Sequence, residues 1–539
     1  MKQMGKQNRQ INLIRFVQIY HFSDVFIFNR CFSFDRIILT VLERGIMMIV
    51  GGLDLGTTGC KIVLYNKYAE LLNSYYEEYD SVHENGKHEI DFNTVKKSVL
   101  SILKKAVEDY KVDALGVTSF GETFAMLDEN DSVLALSMLY TDPRGMKECK
   151  MLCNLFGEEY LTVTTGVKPH PMYSISKILW QKNNNPNMFS ECKRILLGED
   201  FIIYTLTGIA QIDYSLAART GAFDIENKCW ISDVFETLGI DPALMSAPVP
   251  MGTIAGTIKE DLKRELGIDY DITVINGCHD QIASMIGSGI FTSGQAMDGT
   301  GTVECIPVIL EEKPSDMMFY KDGYSVVPYI GDMYACYALS YSGGSTLKWF
   351  RDNFAELEHT GAVKNNKNVY AELDKKVKDE PTRILVLPHF SGAATPYMDS
   401  DAKAAFIGVT LETTKYDLYK ALMEGASYEI RLNFDTLKSL SGKIINIRAT
   451  GGGASSDLWL QIKADILNTD IEALKCKEVG AAGTAAIAGT TIGLFDSIDC
   501  AVSIMAPVRK IFRPNAENSK IYSMLFEKYK NIYNMVKNL

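Results

Sequence analysis

At 539 residues, the chain is longer than a single hydrophobic core usually supports, so at least two domains are expected. A composition of 47% hydrophobic, 23% charged and 10% aromatic residues excludes a disordered chain, a collagen-like fibre and a coiled-coil rod. A net charge of −12 without a long basic run argues against a dedicated binder of nucleic acid or of anionic membranes. The eleven cysteines are scattered, without a CxxC pair or a spacing suited to zinc, which predicts reduced thiols in a cytoplasmic protein.

Residues 1–46 differ from the rest of the chain, with seven basic and three acidic residues. Four charged side chains interrupt every apolar run that could cross a membrane: Asp24, Arg30, Asp35 and Arg36. No clean apolar core or small-residue cleavage site indicates a signal peptide. We interpret this stretch as an upstream extension, disordered or from a misassigned start, with the working protein beginning near Met47 or Met48. A genuine extra segment or anchor is the alternative.

The rest of the chain alternates between strand and helix patterns. The apolar stretch Met48–Gly52, followed by polar loop residues, predicts a buried strand that runs into a tight turn. Apolar residues at helical spacing predict a helix within 92–110, and the run Ala114–Thr118 predicts a strand. A further helical pattern ends at Trp180. This alternation predicts an α/β chain.

Two loops rich in glycine and threonine resemble each other, and they lie about half of the chain apart. The first is Asp54–Gly59 and the second is Asp298–Thr302. Strand-like residues follow each loop, at 60–65 and at 303–310. The repeat indicates two similar domains that face each other. Coincidence is the alternative, since short Gly/Thr stretches are common.

Glycine lacks a Cβ, so these loops can present backbone N–H groups closely to a phosphate, and threonine hydroxyls add donors. Asp54 supplies an oxygen ligand of the kind Mg²⁺ prefers, and Lys61 follows within reach. A Walker loop is excluded because Thr57 occupies the position of its lysine. The glycines at 299–301 and 451–453 both lack the third glycine of a dinucleotide-binding fingerprint.

Seven blocks in sequence order resemble the FGGY family of carbohydrate kinases. They begin with Leu-Asp-Leu-Gly-Thr-Thr-Gly at 53–59 and include Gly-Cys-His-Asp-Gln at 277–281 and Gly-Gly-Gly-Ala-Ser-Ser at 451–456. The other blocks are 165–180, 213–221, 299–301 and 387–425. Each block alone is a weak signal, but seven in the right order are a strong one. The resemblance runs from about Met48 to the C-terminus.

The resemblance implies two actin-like, ribonuclease-H-like ATPase domains with ATP in the interdomain cleft. It also implies transfer of the γ-phosphoryl group to a hydroxyl of a sugar or polyol. We expect a sugar-binding domain over 47–291 and a nucleotide-binding domain over 292–539. ATP and Mg²⁺ are the expected cofactors, with no nucleic-acid or membrane partner. A homodimer is expected because members of the family often pair.

Asp280 is the expected general base, because an ordinary aspartate, with a pKa of about 3.9, is ionised at neutral pH and can accept a hydroxyl proton. A helix-capping role is the alternative, and both can hold. Asp54 is the expected magnesium ligand. The expected ATP-binding residues are Thr57, Thr58, Lys61, Gly299, Thr300, Gly301, Gly452, Gly453 and Ser456. The expected sugar-binding residues are Glu122, Tyr140, Asp142, Tyr173, Asp280 and Gln281.

The identity of the sugar stays open at this point. Glycerol kinases in the family carry arginine at the position of Gly121, and xylulokinases carry a Met-His pair near it, so Gly121 is expected to leave room for a ligand larger than glycerol. A pentulose such as xylulose is favoured, with gluconate, glycerol and another polyol as alternatives. Arg144 is expected to hold Asp142 in place, and His279 to be packed rather than catalytic.

Two other classes of protein compete with the kinase. An actin-like or Hsp70-like ATPase would use domain closure as its output, but it would not need the segment 120–180, which resembles a sugar-site insert. A sugar-sensing regulator would need a basic helix-turn-helix, and residues 1–46 show no such pair of capped helices.

Overall fold

A computed structural model describes residues 48–314 and 317–538. The interpretation of residues 1–46 lies outside the described residues. Residues 48–287 build an N-terminal lobe, and residues 295–314 and 317–538 build a C-terminal lobe, each around one large sheet.

The N-terminal lobe alternates strands and helices, as the sequence predicts. Its strands are β1 (Ile49–Leu55), β2 (Gly59–Asn66), β3 (Leu71–Glu78), β4 (Val82–Glu84), β5 (Lys87–Ile90), β6 (Ala114–Ser119), β7 (Phe124–Leu127), β8 (Ser137–Met138), β9 (Arg194–Leu197), β10 (Gln211–Asp213), β11 (Phe223–Asp224), β12 (Cys229–Trp230), β13 (Ala247–Val249), β14 (Ile254–Thr257) and β15 (Thr273–His279). Its helices are α1 (Phe92–Asp109), α2 (Met146–Phe156), α3 (Glu158–Thr165), α4 (Ser174–Asn184), α5 (Pro186–Glu191), α6 (Gly198–Thr207), α7 (Tyr214–Ala217), α8 (Ser232–Leu238), α9 (Glu260–Leu266) and α10 (Asp280–Gly287), with 3₁₀ turns at Ala218–Thr220 and Pro242–Leu244.

The main sheet of this lobe has the order β14-β15-β6-β1-β2-β3. Strands β1, β2 and β3 form an antiparallel meander, and β6 and β15 run parallel to β1. Alternate residues of β1 face opposite sides, so Leu53 and Leu55 pack under α1 and α6 while Asp54 points to the other face. Register places Asp54 opposite Lys61 on β2 and Thr118 on β6.

The C-terminal lobe repeats this plan. Its strands are β16 (Gln295–Thr300), β17 (Glu304–Leu310), β18 (Ser325–Pro328), β19 (Tyr334–Ser340), β20 (Leu385–Leu387), β21 (Ala405–Ile407), β22 (Asn446–Thr450), β23 (Asp470–Leu474) and β24 (Val508–Phe512). Its helices are α11 (Met317–Lys321), α12 (Gly344–Phe354), α13 (Glu356–Lys364), α14 (Val369–Asp374), α15 (Lys415–Ser441), α16 (Asp457–Leu467), α17 (Val479–Thr491), α18 (Ile498–Met505), α19 (Ala516–Tyr529) and α20 (Ile532–Val536), with a 3₁₀ turn at Gly452–Ser455.

The two main sheets share one topology. The C-terminal sheet has the order β18-β19-β17-β16-β22-β23-β24, in which β16, β17 and β19 are antiparallel and β22 and β23 run parallel to β16. The first hairpin of each sheet, β1–β2 and β16–β17, therefore carries one of the two Gly/Thr loops. The repeat inferred from those loops is confirmed as a repeat of strand order and direction.

Helix α17 belongs to the C-terminal lobe by sequence, but it packs on the sheet of the N-terminal lobe. Glycines at paired positions make this contact close. A Cβ added at Gly52 of β1 would lie 1.9 Å from the carbonyl oxygen of Ala481, and one at Gly116 of β6 would lie 2.6 Å from that of Thr484. Glycine is required where another backbone approaches a strand this closely.

Helices α10 and α17 also meet backbone to backbone. A Cβ added at Gly287 would lie 1.8 Å from the carbonyl oxygen of Val479. Since α10 begins with Asp280, this contact fixes the position of that residue relative to the C-terminal lobe. In the described part of the chain, no helix is both long and apolar enough to span a membrane.

The close contact under α17 predicts that Gly52→Ala destabilises the protein, by about 1–3 kcal/mol, because the new methyl group overpacks against the Ala481 carbonyl. Urea-induced unfolding measures the effect. Gly361→Ala is the control, since a Cβ there meets no atom within 4 Å, and alanine favours a helix. Equal stability of the two variants would contradict the packing described here.

Candidate active site

Asp280 is the first residue of α10 and directly follows the parallel strand β15. Its side chain is 29% exposed, and its buried Oδ1 accepts no hydrogen bond from any described residue. The Nε2 atom of His279 lies 3.1 Å from this oxygen. Burial and the positive charge of Arg219 hold the pKa of His279 well below its usual range, so its imidazole is neutral. The Asp280 carboxylate is therefore not neutralised by an ion pair with His279.

Burial and neighbouring negative charges raise the pKa of Asp280 to about 8. Desolvation is the largest cause, followed by the charges of Asp54 and Glu122, while the Gln281 N–H and Arg219 oppose the shift. The expectation of an ordinary aspartate, ionised at neutral pH, is therefore wrong for the ligand-free protein. The sequence could not reveal this, because the three carboxylates come together only in the fold.

Asp54 lies at the end of β1, and burial raises its pKa to about 6. Its Oδ2 would lie 3.0 Å from a Cβ added at Gly480, the second residue of α17. Lys61 opposes the shift and Glu478 adds to it. The negative charge of Asp54 also raises the pKa of Asp280, and a divalent cation bound at Asp54 would relieve this repulsion.

The residues present fit Mg²⁺ in the manner of kinase sites. No cluster of three or more His, Cys, Asp or Glu side chains able to hold a metal occurs within residues 48–314 and 317–538. Mg²⁺ is commonly bound by one or two carboxylates together with substrate phosphates and water, so a small number of protein ligands suffices. Asp54 is the residue that would hold it.

The turn of the first hairpin is closed by the Gly56 N–H, which donates to the Gly59 carbonyl at 2.9 Å. Thr57 is half-buried and Thr58 is exposed, so both are accessible at this turn. The Lys61 amine is paired with the Glu478 carboxylate of the C-terminal lobe. A phosphate bound by Lys61 would therefore compete with Glu478.

In the second hairpin the side chain of Thr300 is buried, whereas Thr57 and Thr58 of the first hairpin are accessible. The Thr300 hydroxyl donates to Asp298 Oδ1 at 2.9 Å and accepts from Lys463 Nζ at 2.6 Å. The Lys463 amine also contacts Asp298 Oδ2 and Glu304 Oε1, each at 2.6 Å, and all three side chains are fully buried. The Thr300 hydroxyl is thus directed into the lobe, which leaves the backbone of Gly299–Gly301 for a phosphate.

The glycine-rich turn at 451–456 packs directly on this hairpin. A Cβ added at Gly453 would lie 2.5 Å from Thr300 Cγ2, so the turn needs glycine for packing whether or not a nucleotide binds. Gly452 is exposed. Ser456 caps α16 by accepting from Trp459 N at 3.1 Å, and its hydroxyl donates to Asp374 Oδ2 at 2.8 Å. These contacts give Ser456 a structural role beside the expected one.

Glu122 is buried and adopts a left-handed backbone conformation, with φ of +67°. Arg219 Nε donates to its Oε1 at 2.7 Å. A Cβ added at Gly121 would lie 3.1 Å from Arg219 Cγ and 3.2 Å from His279 Nε2. The expectation that Gly121 leaves room for a larger ligand is therefore wrong, because Arg219 and His279 fill that space.

The other expected sugar-binding residues lie in different environments. Tyr173 is buried, with the Arg219 guanidinium 5.1 Å from its ring centroid. Tyr140 is 39% exposed, and burial together with the charges of Glu122 and Asp280 raises the pKa of its phenol. Gln281 is half-buried beside Asp280. Tyr140 and Gln281 thus offer accessible groups near the base.

Asp142 has no oxygen left for a ligand. Its carboxylate accepts from Arg144 Nε at 2.7 Å, from Arg144 Nη2 at 2.6 Å, and from the backbone N–H groups of His88 at 2.8 Å and Arg144 at 3.0 Å. The side chain is fully buried. The geometry argues against its predicted contact with sugar and supports the expected pairing with Arg144, which holds the loop that carries Tyr140.

Three residues near the site have roles that the sequence did not predict: Lys177, Arg219 and Lys463. Lys177 is fully buried, and its amine donates to the carbonyl oxygens of Leu139 at 2.8 Å, Tyr140 at 3.3 Å and Met172 at 3.3 Å. Burial lowers the pKa of Lys177 to about 8. This amine ties together the two segments that carry Tyr140 and Tyr173. Its position in the block 165–180 was the sequence signal that could have identified it.

Comparison with known proteins identifies the family. A model of the N-terminal domain of the FGGY family of carbohydrate kinases matches residues 48–287, and a model of the C-terminal domain matches residues 300–492. The chain belongs to this family. It is a sugar kinase that uses ATP to phosphorylate an alcohol group, and the predicted resemblance is confirmed.

Relatives match over nearly their full length. The xylulose kinase of Staphylococcus epidermidis is 27% identical over 501 residues, which cover 91% of this chain and 97% of the relative. The gluconokinase of Bacillus subtilis is 26% identical, with 90% and 96% covered. The solved structure of a xylulose kinase from Lactobacillus acidophilus matches with a TM-score of 0.83 at 24% identity, covering 91% of this chain and 99% of that one. The predicted fold, two actin-like domains with a cleft between them, is confirmed.

The raised pKa of Asp280 predicts a pH-dependent gain in stability for Asp280→Asn in the ligand-free protein. The ionised carboxylate opposes folding, so its cost is absent below the ordinary pKa of 3.8 and complete above about 8. The free energy of unfolding of the variant, relative to that of the wild type, should therefore increase as pH rises from 4 to 8. We expect a difference of about 2 kcal/mol at pH 8, because solvent screens part of the charge. Urea unfolding across this pH range measures the difference. A gain that shrinks with rising pH would contradict the assignment.

Proposed function

We propose that the enzyme transfers the γ-phosphoryl group of ATP to a hydroxyl of a neutral sugar, with a pentulose such as xylulose as the substrate class. Asp280 is the general base. The observation that carries this proposal is the position of the Asp280 side chain, which is 29% exposed and lies near the negative charges of Asp54 and Glu122. Mg²⁺ bound at Asp54 would offset the charge that keeps Asp280 protonated in the ligand-free protein, and the ionised carboxylate can then accept the hydroxyl proton.

In this mechanism, Asp280 receives the proton of the sugar hydroxyl as the bond between the sugar oxygen and the γ-phosphorus forms, and the bond to the β-phosphate oxygen breaks to release ADP. Phosphoryl transfer needs positioning and charge neutralisation more than covalent help from the protein. Mg²⁺, held at Asp54, would neutralise charge on the phosphates. Glu122, Tyr140 and Gln281 orient the sugar.

The phosphates lie between the two hairpins in this proposal. Backbone groups of 299–301, the accessible Thr57 and Thr58, and Lys61 bind them, and the turn at 452–456 lies on the adenosine side. The sugar-binding domain is 47–291 and the nucleotide-binding domain is 292–539. The described cysteines are free thiols, which fits a cytoplasmic enzyme. A homodimer stays a prediction.

A neutral sugar is favoured over a sugar acid because of the charge around the site. The guanidinium nearest to Glu122, that of Arg219, is already paired with that carboxylate and hydrogen-bonded to Tyr337. A sugar acid would bring a further negative charge to a site that contains Asp54 and Asp280. Several relatives are named as xylulose kinases, and others as gluconokinases and a glycerol kinase.

A panel of acceptors tests the substrate class. With ATP and Mg²⁺, kcat/KM for D-xylulose should exceed that for gluconate by at least about tenfold, as expected for one unfavourable charge interaction. ADP release coupled to a dehydrogenase measures each rate, with ATP alone as the control for hydrolysis. A preference for gluconate would overturn the charge argument, and ATP turnover unaffected by every acceptor would overturn the kinase proposal.

Asp280→Asn should lower kcat by about 10²–10⁴-fold, because the amide cannot accept the hydroxyl proton. ATP affinity, measured by calorimetry, should stay within about threefold of the wild type, since the side chain has no proposed contact with adenosine. Asp142→Asn serves as a comparison variant that alters a carboxylate without removing the base. A kcat of wild-type size in Asp280→Asn would remove this residue as the base.

A further inference from the structure

Arg219 joins the two lobes at the side of the cleft that carries Glu122. Its Nε donates to Glu122 Oε1 at 2.7 Å, and its Nη2 contacts the same oxygen. Its Nη1 donates to the hydroxyl oxygen of Tyr337 on β19, at 2.7 Å. One guanidinium therefore binds a carboxylate of the N-terminal lobe and a phenol of the C-terminal lobe.

Burial and stacking leave the guanidinium little freedom. The side chains of Arg219 and Glu122 are each 6% exposed. The guanidinium carbon lies 5.1 Å from the ring centroid of Tyr173 and 5.6 Å from that of Tyr337. Charge-assisted bonds in such a desolvated setting are stronger and more directional than those on a surface.

Glu122 is also held through its backbone. Its φ of +67° is uncommon for a residue with a side chain, and the Ser174 hydroxyl donates to its carbonyl oxygen at 2.7 Å. Strained conformations of this kind persist where the surroundings enforce them, and they concentrate at functional sites. Oε1 takes the bond from Arg219, while Oε2 accepts none from the described residues. The free oxygen is the one available to a sugar hydroxyl.

We propose that Arg219 is a positioning residue that holds Glu122 in its sugar-binding orientation and makes that orientation depend on Tyr337 of the opposite lobe. The proposal rests on the proposed function, in which Glu122 binds the sugar. Its consequence is that sugar affinity depends on how the C-terminal lobe is placed, although most sugar contacts belong to the N-terminal lobe.

Tyr337→Phe tests this link because it removes one oxygen and keeps the ring. We expect KM for the best acceptor of the panel to rise about fivefold, the size of one hydrogen bond, with KM for ATP within twofold. In a Glu122→Gln background, Tyr337→Phe should add no further rise, since Tyr337 acts through Glu122. Tyr324→Phe is the control, because the Tyr324 hydroxyl is also buried but has no partner among the described residues. Equal effects in both backgrounds, or an unchanged KM, would overturn the proposal.

Hydrogen exchange on the ligand-free full chain separates this proposal from the assignment of the activity. Tyr337→Phe should speed amide exchange within 119–123 by at least about threefold, and Tyr324→Phe should leave it unchanged. Arg219→Lys, which keeps the charge but not the fork of donors, should act as Tyr337→Phe does. Unchanged exchange in both test variants overturns the link even if the sugar kinase assay succeeds. If exchange is faster in these two variants but the wild-type enzyme phosphorylates no sugar, the link is supported and the proposed function is overturned.

Discussion

Uncompensated negative charge is the constraint on which the active cleft depends. Asp54 and Asp280 both have raised pKa values, because burial disfavours their ionised forms and the charge of Asp54 adds to the shift of Asp280. Glu122 adds to this field, but Arg219 binds its carboxylate. Natural proteins commonly retain such unfavourable arrangements where substrate, cation or proton transfer relieves them. The negative charge thus destabilises the empty cleft. A bound cation, or a proton taken from a substrate hydroxyl, would relieve that charge.

The two lobes use one motif for different purposes. Asp54 lies on β1 and Asp298 on β16, the strands that come first along the chain in their main sheets, and each residue comes just before a Gly/Thr turn. In the N-terminal lobe the carboxylate is half-buried and lies beside the cleft. In the C-terminal lobe it is fully buried and bonded to Lys463, which Glu304 also contacts. A repeated loop is therefore strong grounds for a repeated fold, but weak grounds for a repeated chemical role.

The elements that depend on local sequence patterns could be predicted from the sequence. The strand at 48–52, the helix within 92–110 and the two glycine loops follow from spacing and turn chemistry, and ordered motifs identified the family. Side-chain direction was harder to foresee. The inward rotation of Thr300 depends on Lys463, which lies 163 residues away. The saturation of Asp142 depends on a bidentate contact with Arg144 that spacing alone does not distinguish from a free pair. The bond from Arg219 to Glu122 spans 97 residues.

Helix α17 has a consequence for how the chain can be divided. It is supplied by the C-terminal half of the sequence, yet its backbone lies against Gly52 and Gly116 in the sheet of the other half. A fragment that ended after α10 would expose this face to water, together with the apolar side chains of Val50, Val63 and Ala114 that pack with α17. The lobes are therefore separate as folds but not as autonomous folding units, and splitting the gene between them would yield two incomplete products.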